Sequence, residues 1–302
     1  MFLKCRTESD ELLTLRSLNT RMELTEKEKF HYSILEKGFA GEMKFDQLIK
    51  NLQEERYVLS DLLLEINNSY FQIDSVIITQ ASIYLLDIKN FQGDYYLESD
   101  KLYSVTSKRE YKNPVIQLKR SSTLFRQLLQ FLKLNYLIES SVIFINPEFT
   151  LYQAPMDQPL ILPTQVDRFL KDLNRTPSKL NDGHKHLAQK LLSLHQPKNP
   201  FTTLPKYDYN QLQKGIYCKT CFSFFLSVKN QDYVCEKCGE LEKINLGVLR
   251  NVQEYKLLFP EQKITTQAIY DWCKVDLSKK TISRILKKNY SSCGKTKDTY
   301  YL

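Results

Sequence analysis

Apolar and polar positions follow three rhythms along the chain, and these predict most of its elements. Residues 8–36 hold few helix breakers, and Leu12, Leu15, Leu18 and Met22, then Phe30, Ile34 and Leu35, recur at helical spacing, which predicts packing helices. A further helix is expected to open near Gly38 in GFAGEMKFDQLIKNL, with Phe45, Ile49 and Leu52 as its apolar stripe. The strand-like YVLSDLLLEI follows, then a turn at Asn67-Asn68-Ser69, then a hairpin over residues 72–90, QIDSVIITQASIYLLDIKN. Pro114 starts a long helix, NPVIQLKRSSTLFRQLLQFLKL, and residues 142–145 make a short buried strand stopped by Asn146-Pro147. PLILPTQVDRFLKDL joins a strand to a helix capped by Thr164, with Asp167 three residues on. Helix, meander, helix, strand, helix is the order of an α/β core with a mixed sheet. Residues 196–210 are proline-punctuated and lack periodicity, so the domain boundary is placed there.

The hairpin at residues 72–90 is almost continuously apolar, yet Asp74, Asp87 and Lys89 are set into it. Ionised groups stay in a core only when paired or bound to metal, because desolvating a lone charge costs several kcal/mol. Strand alternation puts Asp87 and Lys89 on the face of Ile83 and Leu85. With a turn centred on Gln80-Ala81, paired residue numbers sum to 161 and Asp74 falls opposite Asp87. Two carboxylates roughly 5 Å apart repel unless something positive sits between them, and a divalent cation suits that place. A register slip of one residue would instead put the acids on opposite faces. The alternative to a metal is an internal Asp87–Lys89 salt bridge with Asp74 capping a backbone amide. Glu42 extends the stripe of Phe45, Ile49 and Leu52 toward the sheet by one turn, although an acid in a first helical turn is also ordinary helix chemistry.

The pattern G-x-x-G-E, then Q-I-D, then D-I-K-N-x-x-G resembles the nuclease-related domain (NERD) of the PD-(D/E)xK, restriction-endonuclease-like superfamily, over roughly residues 35–150. The resemblance implies a restriction-endonuclease-like mixed sheet flanked by helices. It also implies Asp74 and Asp87 as ligands of Mg²⁺ (or Mn²⁺), Lys89 as the catalytic lysine, Glu42 as the helix acid and Gln117, in the Asn-Pro-x-x-Gln segment, as a further site residue. Asp87 stands where the family more often has Glu, which brings the metal closer to the strand. Carboxylate-held Mg²⁺ suits phosphodiester hydrolysis, because it acidifies water and offsets charge on phosphoryl oxygens. Lys89 then supplies a point charge beside the phosphate or orients the attacking water.

Cys218-x-x-Cys221 and Cys235-x-x-Cys238, thirteen residues apart, have the spacing of a four-cysteine zinc ribbon that closes a structural Zn²⁺ site. Free thiols or a redox pair are the alternatives. Beyond it, residues 264–272 form one helix-sized block, residues 273–277 a turn, and Ser278 caps a second block with Ile282, Ile285 and Leu286 inward. With residues 289–301 as a wing hairpin, this resembles a small winged helix-turn-helix. The outward face of its second helix shows Lys279, Lys280, Ser283, Arg284 and Lys287, residue types that contact phosphates and, for arginine, guanine. A solvated face is the other use of such charge.

Charge distribution sharpens the picture. The net charge of the 302 residues is +8, and from Lys206 onward 17 Lys and Arg face 10 Asp and Glu, so the surplus belongs to the C-terminal third. Such a surplus is the footprint of a polyanion partner. No apolar run reaches the roughly 18 residues of a membrane span, the N-terminus is too charged for a secretion signal, and the seven cysteines do not form a disulfide framework, so a cytoplasmic protein is expected. No G-x-x-x-x-G-K-[ST] phosphate loop occurs, which argues against a nucleotide-driven motor. The expected order is N-terminal helices (1–36), the nuclease-like domain (37–195), a linker (196–213), the zinc ribbon (214–245) and the helix-turn-helix (246–302). The expected function is metal-dependent hydrolysis of DNA. Two alternatives stay open, a DNA-binding protein on an inactive nuclease scaffold and a protein-interaction module; nothing in the sequence sets an oligomeric state.

Overall fold

The computed structural model describes residues 1–274, 277–294 and 299–302, which divide into two compact units, residues 1–8 with 33–202 and residues 9–32 with 203–302. The chain opens with β1 (Phe2–Lys4), α1 (Asp10–Arg21) and α2 (Glu26–Ile49), the last running from one unit into the other. In the first unit β2 (Tyr57–Ile66), β3 (Ser69–Ile78) and β4 (Ser82–Lys89) make the expected meander. Asn67 and Asn68 both adopt left-handed backbone (φ 49° and 56°), the geometry of a tight hairpin turn that asparagine tolerates.

These strands belong to a six-stranded mixed sheet, ordered β1-β2-β3-β4-β8-β10, with β8 (Leu137–Phe144) and β10 (Leu160–Ile161) parallel to β4 and β8 respectively. Helices cover both faces. Phe45 and Ile49 of α2, with Val166 and Leu173 of α4 (Pro163–Arg175), bury Val58, Ile77, Leu86 and Ile88. Phe125 and Leu128 of α3 (Pro114–Phe131), with Leu187 and Leu191 of α5 (Asp182–Leu194), bury Val76, Ile78, Ile83 and Leu85 on the opposite face. Each such apolar side chain contributes about 1.5–3 kcal/mol by leaving water. A second sheet of four short strands, ordered β7 (Glu110–Tyr111), β6 (Lys101–Ser104), β5 (Gly93–Glu98) and β9 (Phe149–Tyr152), follows directly from the end of β4.

Several boundaries differ from expectation. The helix expected to open at Gly38 does not: α2 runs unbroken through Gly38 and Gly41, since an isolated glycine weakens a helix by only about 1 kcal/mol. The buried strand expected at residue 142 begins at Leu137, because its first half pairs along the whole of β4. The cap of α4 is Leu162 rather than Thr164: Pro163 takes the first helical position and the Gln165 side chain accepts from the Leu162 N–H at 2.9 Å.

In the second unit, β11 (Leu226–Lys229), β12 (Asp232–Cys235) and β13 (Leu241–Lys243) form an antiparallel sheet next to α6 (Ile244–Leu258). Then come α7 (Thr266–Cys273), capped by Thr265, and α8 (Lys279–Asn289), capped by Ser278 as expected. The strands β14 (Ser292–Cys293) and β15 (Tyr300–Tyr301) pair antiparallel. Part of the expected turn at residues 273–277 and the tip of the expected wing lie outside the described residues. Leu18 of α1 shares one core with Val248, Val252, Ile269, Trp272, Ile282 and Leu286.

At the centre of that core sits a charge. The Arg21 side chain is fully buried, bonding Glu254 (3.1 and 2.5 Å), Asn251 (2.8 Å) and the Gln213 carbonyl (2.6 Å), with its guanidinium 4.1 Å from the Trp272 ring centroid. Tyr217 and Trp272 donate to the same Glu254 carboxylate, at 2.9 and 3.3 Å. Removing one member of such a network strands the other in low dielectric. Arg21→Ala is therefore expected to destabilise the second unit by about 3–5 kcal/mol, read as a lowered urea midpoint of the transition reported by Trp272 fluorescence.

Candidate active site

The β3–β4 hairpin has the register its turn implies, with pairs from Ile78↔Ile83 to Ser75↔Leu86 each summing to 161. Asp74 and Asp87 occupy the next step, where the ladder gives out. There the Ile88 N–H donates to Asp74 Oδ2 at 2.8 Å, and Lys89 Nζ lies 2.9 Å from Asp87 Oδ1. These are the contacts of the internal salt bridge and amide cap named above as the alternative to a metal. They leave one atom over: Asp87 Oδ2 is buried with no hydrogen-bond partner among the described residues. An orphaned buried oxygen costs about 1–3 kcal/mol, or more when charged.

A small cleft is lined by Gln72, Leu85, Asp87, Leu118 and Ser121. Burial pushes the Asp87 carboxyl up to about 6, with Asp74 adding to the rise and Lys89 opposing it. Burial would lower Lys89, but Asp87, Asp74 and Glu42 together hold it above the ordinary lysine range.

Glu42 reaches the same end of the sheet from α2. Gly41 makes this possible, because a methyl there would fall 2.4 Å from Asn90 Cβ, and Asn90 in turn donates to the Lys37 carbonyl at 2.7 Å. The glycine-glutamate and lysine-asparagine pairs of the sequence pattern are thus the two sides of one helix–strand contact. Burial first, then Asp74, pushes Glu42 up to about 8 against the pull of Arg6. Gln117 is exposed in the first turn of α3, beside Leu118 of the cleft.

Two neighbours are not singled out by the sequence pattern. Arg6, buried just after β1, donates to Glu42 (2.7 Å), to both oxygens of Asp46 (3.0 and 3.3 Å) and to the Asp74 carbonyl (2.6 Å). Asp61 lies across β2 from Asp74, in left-handed backbone (φ 56°) between the pairs Ser60↔Ser75 and Leu62↔Ile73. Lys4 donates to its carbonyl at 2.8 Å and Gln72 to its carboxylate at 2.6 Å. The only sequence signal for it is a charge interrupting the apolar run of β2, and Arg6 has none.

Among the described residues, the one group of three or more His, Cys, Asp and Glu whose ligand atoms all lie within 4.8 Å of one another is Cys218, Cys221, Cys235 and Cys238. The cysteine sulfurs lie 3.6 Å (Cys218–Cys238) and 3.5 Å (Cys221–Cys235) apart. Thiolates 2.3 Å from a tetrahedral zinc stand about 3.8 Å from one another, so the cluster fits that ion and is too open for disulfides. The Thr220 N–H points at Cys218 Sγ at 3.4 Å, as a backbone amide does in a zinc knuckle. On α8, Lys279, Lys280, Arg284 and Lys287 are exposed and Ser283 half-buried, while Ile282, Ile285 and Leu286 face the core.

Residues 37–145 match the family model of the nuclease-related domain, NERD. The stretch carrying Glu42, Asp74, Asp87, Lys89 and Gln117 is therefore a nuclease-related domain, followed in the chain by a four-cysteine cluster that fits a zinc ribbon. Neither the curated proteins nor the solved structures contain a match to the chain. Among the described residues no helix is long and apolar enough to cross a membrane.

The zinc assignment has a direct check. Purified protein is expected to carry about one equivalent of zinc, and a strong chelator, or Cys235→Ser, should lower the melting temperature of the second unit, since structural zinc contributes folding free energy outright. Less than half an equivalent, with melting unchanged by chelator, would contradict it.

Proposed function

We propose that this chain is a divalent-metal-dependent nuclease acting on DNA, with the second unit as its DNA-holding module. The observation that carries the proposal is the buried, unpartnered Asp87 Oδ2 beside Asp74 at the open end of the hairpin, within a nuclease-related domain. Asp74 and Asp87 would hold Mg²⁺ or Mn²⁺, hard cations that take carboxylate oxygens. A bound ion there supplies Lewis-acid compensation for charge on the phosphoryl oxygens and lowers the pKa of water. Lys89, kept protonated by the surrounding acids, gives up Asp87 Oδ1 and turns its Nζ toward the scissile phosphate. Gln117, exposed in the first turn of α3, would supply a polar contact to the nucleic-acid backbone. Burial of Asp87 and Lys89 keeps their fields unscreened.

The inactive-scaffold alternative is favoured by one specific observation, the existing Asp87–Lys89 and Asp74–Ile88 contacts, which satisfy most of these groups internally. Cleavage separates the two. Linear, nicked and supercoiled DNA are expected to be cut in Mg²⁺ or Mn²⁺ and left intact in chelator, with Asp87→Ala reducing the rate by at least about 100-fold, the low end of what a principal catalytic group supplies. A wild-type protein as inert as Asp87→Ala would leave only the scaffold.

For the second unit we propose a winged helix-turn-helix that docks α8 on duplex DNA. The support is the shared core of α6, α7 and α8, the β14–β15 hairpin, and the one-sided basic face of α8. Four clustered thiols require a reducing compartment, which supports a cytoplasmic setting. Lys280→Ala combined with Arg284→Ala is expected to weaken duplex binding and to reduce the slope of log K against log salt by roughly 2, measured by fluorescence anisotropy from low to physiological salt. An unchanged slope would argue that the face is merely solvated.

A further inference from the structure

We propose that the outer face of the four-stranded sheet is a stacking platform for single-stranded DNA, built on a row of tyrosines that crosses three strands. This rests on the nuclease reading above and deepens it by naming the form of the substrate. Tyr96 of β5 pairs with Tyr103 of β6 on one side and with Tyr152 of β9 on the other. Side chains alternate along each strand, so these three tyrosines share one face, and Tyr95, Leu97, Leu102 and Leu151 share the other. The latter face is buried against Val115 and Leu118 of α3. The tyrosine face has no such cover: none of the apolar clusters of the described residues includes Tyr96, Tyr103 or Tyr152, and Tyr152 is 52% exposed.

Tyr96 and Tyr103 are stacked, with ring centroids 5.4 Å apart and planes inclined by 22°. A nucleobase extends such a stack, because every base carries a π face. Charge sets where the backbone runs. Residues 101–112 hold Lys101, Lys108, Arg109 and Lys112 against the single acid Glu110, which pairs with Lys101 at 3.0 Å. Lys108, in left-handed backbone (φ 55°) between β6 and β7, places its Nζ 5.9 Å from the Tyr96 ring centroid. Phosphates are therefore drawn along the β6–β7 arm, beside the rings that take the bases. Asp94 and Glu98 stand two residues either side of Tyr96 on its own face and repel a second row of phosphates. A duplex brings that second row and keeps its bases stacked on one another, so the face selects an unpaired strand. Its position suits a substrate path. β5 and β9 begin at Gly93 and Phe149, a few residues beyond the ends of β4 and β8, and pair in parallel as those two strands do. The platform is thus joined to the strand end that carries Asp87 and Lys89.

The test uses the full-length, zinc-loaded chain without added Mg²⁺, and a fluorescein-labelled oligothymidylate of about 12 nucleotides, within the span of one stacking module. A hairpin duplex is the comparison, and anisotropy reads both. Tyr96→Ala combined with Tyr103→Ala is expected to weaken oligothymidylate binding by at least about tenfold, the loss of one stacked base, and duplex binding by less than about twofold. Tyr96→Phe combined with Tyr103→Phe should bind as wild type does, since stacking uses the ring and not the hydroxyl. No loss in the alanine pair, equal losses for single strand and duplex, or a phenylalanine pair as weak as the alanine pair overturns the inference. So does a wild-type dimer that the alanine pair converts to monomer in sedimentation while oligothymidylate stays unbound, which would give the face to a second copy. Should the alanine pair not fold, exposed Tyr152 decides: Tyr152→Ala is expected to weaken oligothymidylate binding by about threefold or more, and unchanged binding overturns the platform. A wild type that ignores oligothymidylate yet cuts duplex in Mg²⁺ overturns the platform alone. Tyrosine-dependent binding by a chain that cuts no DNA supports the platform and removes the nuclease.

Discussion

Two aspartates on neighbouring strands, placed where their hydrogen-bond ladder ends, are the constraint around which the first unit is arranged. Like charges this close repel, so the surrounding structure is a set of answers to that repulsion. The Ile88 amide answers one oxygen of Asp74, and Lys89 one oxygen of Asp87. Arg6 anchors the Asp74 backbone and spends its remaining charge on Glu42 and Asp46. This explains an otherwise odd piece of topology: the short parallel strand β1 on the sheet edge delivers Lys4 to the Asp61 carbonyl, and Arg6 directly behind it to the acids.

The second unit handles buried charge differently. Arg21 and Glu254 are enclosed by Asn251, Tyr217 and Trp272, and the guanidinium is stacked on indole, so the network is closed. A closed network rigidifies and specifies one packing. The first unit keeps an unpaired buried oxygen, Asp87 Oδ2, and Asp87 helps line a small cleft. The contrast lies between a charged network in which the arginine and its carboxylate are both fully partnered and a pair of acids that leaves one buried oxygen unsatisfied.

How much of this was legible in the sequence depended on the range of the contacts. The hairpin register was readable because side chains alternate strictly and the turn is short, so one assumed centre fixes every pair down to Asp74 and Asp87. The cysteine cluster was readable because each C-x-x-C pair is local. The cap at Ser278 follows from its residue type, and the inward residues of α8 follow from helical period. Arg6 was not legible, since its partners lie 36 to 68 residues away and a charged N-terminus looks like solvent-facing chain. The break expected at Gly38 failed for a related reason: glycine marks close approach as well as termination, and the contact of Gly41 with Asn90 is visible only once β4 is folded. The four-stranded second sheet escaped notice because its strands are short and its turn residues dense.

Neither unit is continuous in sequence. Residues 9–32, whose Arg21 and Leu18 sit in the C-terminal core, are made before the whole nuclease-related domain, and residues 203–302 after it. On the ribosome, α1 must therefore wait, with its apolar stripe exposed, through about 170 residues of further synthesis before its partners emerge. The first unit can close during that interval, since everything from β1 to α5 precedes residue 203. Birth order thus places the nuclease-related domain ahead of the four-cysteine cluster, and a chain truncated before that cluster leaves α1 unmated.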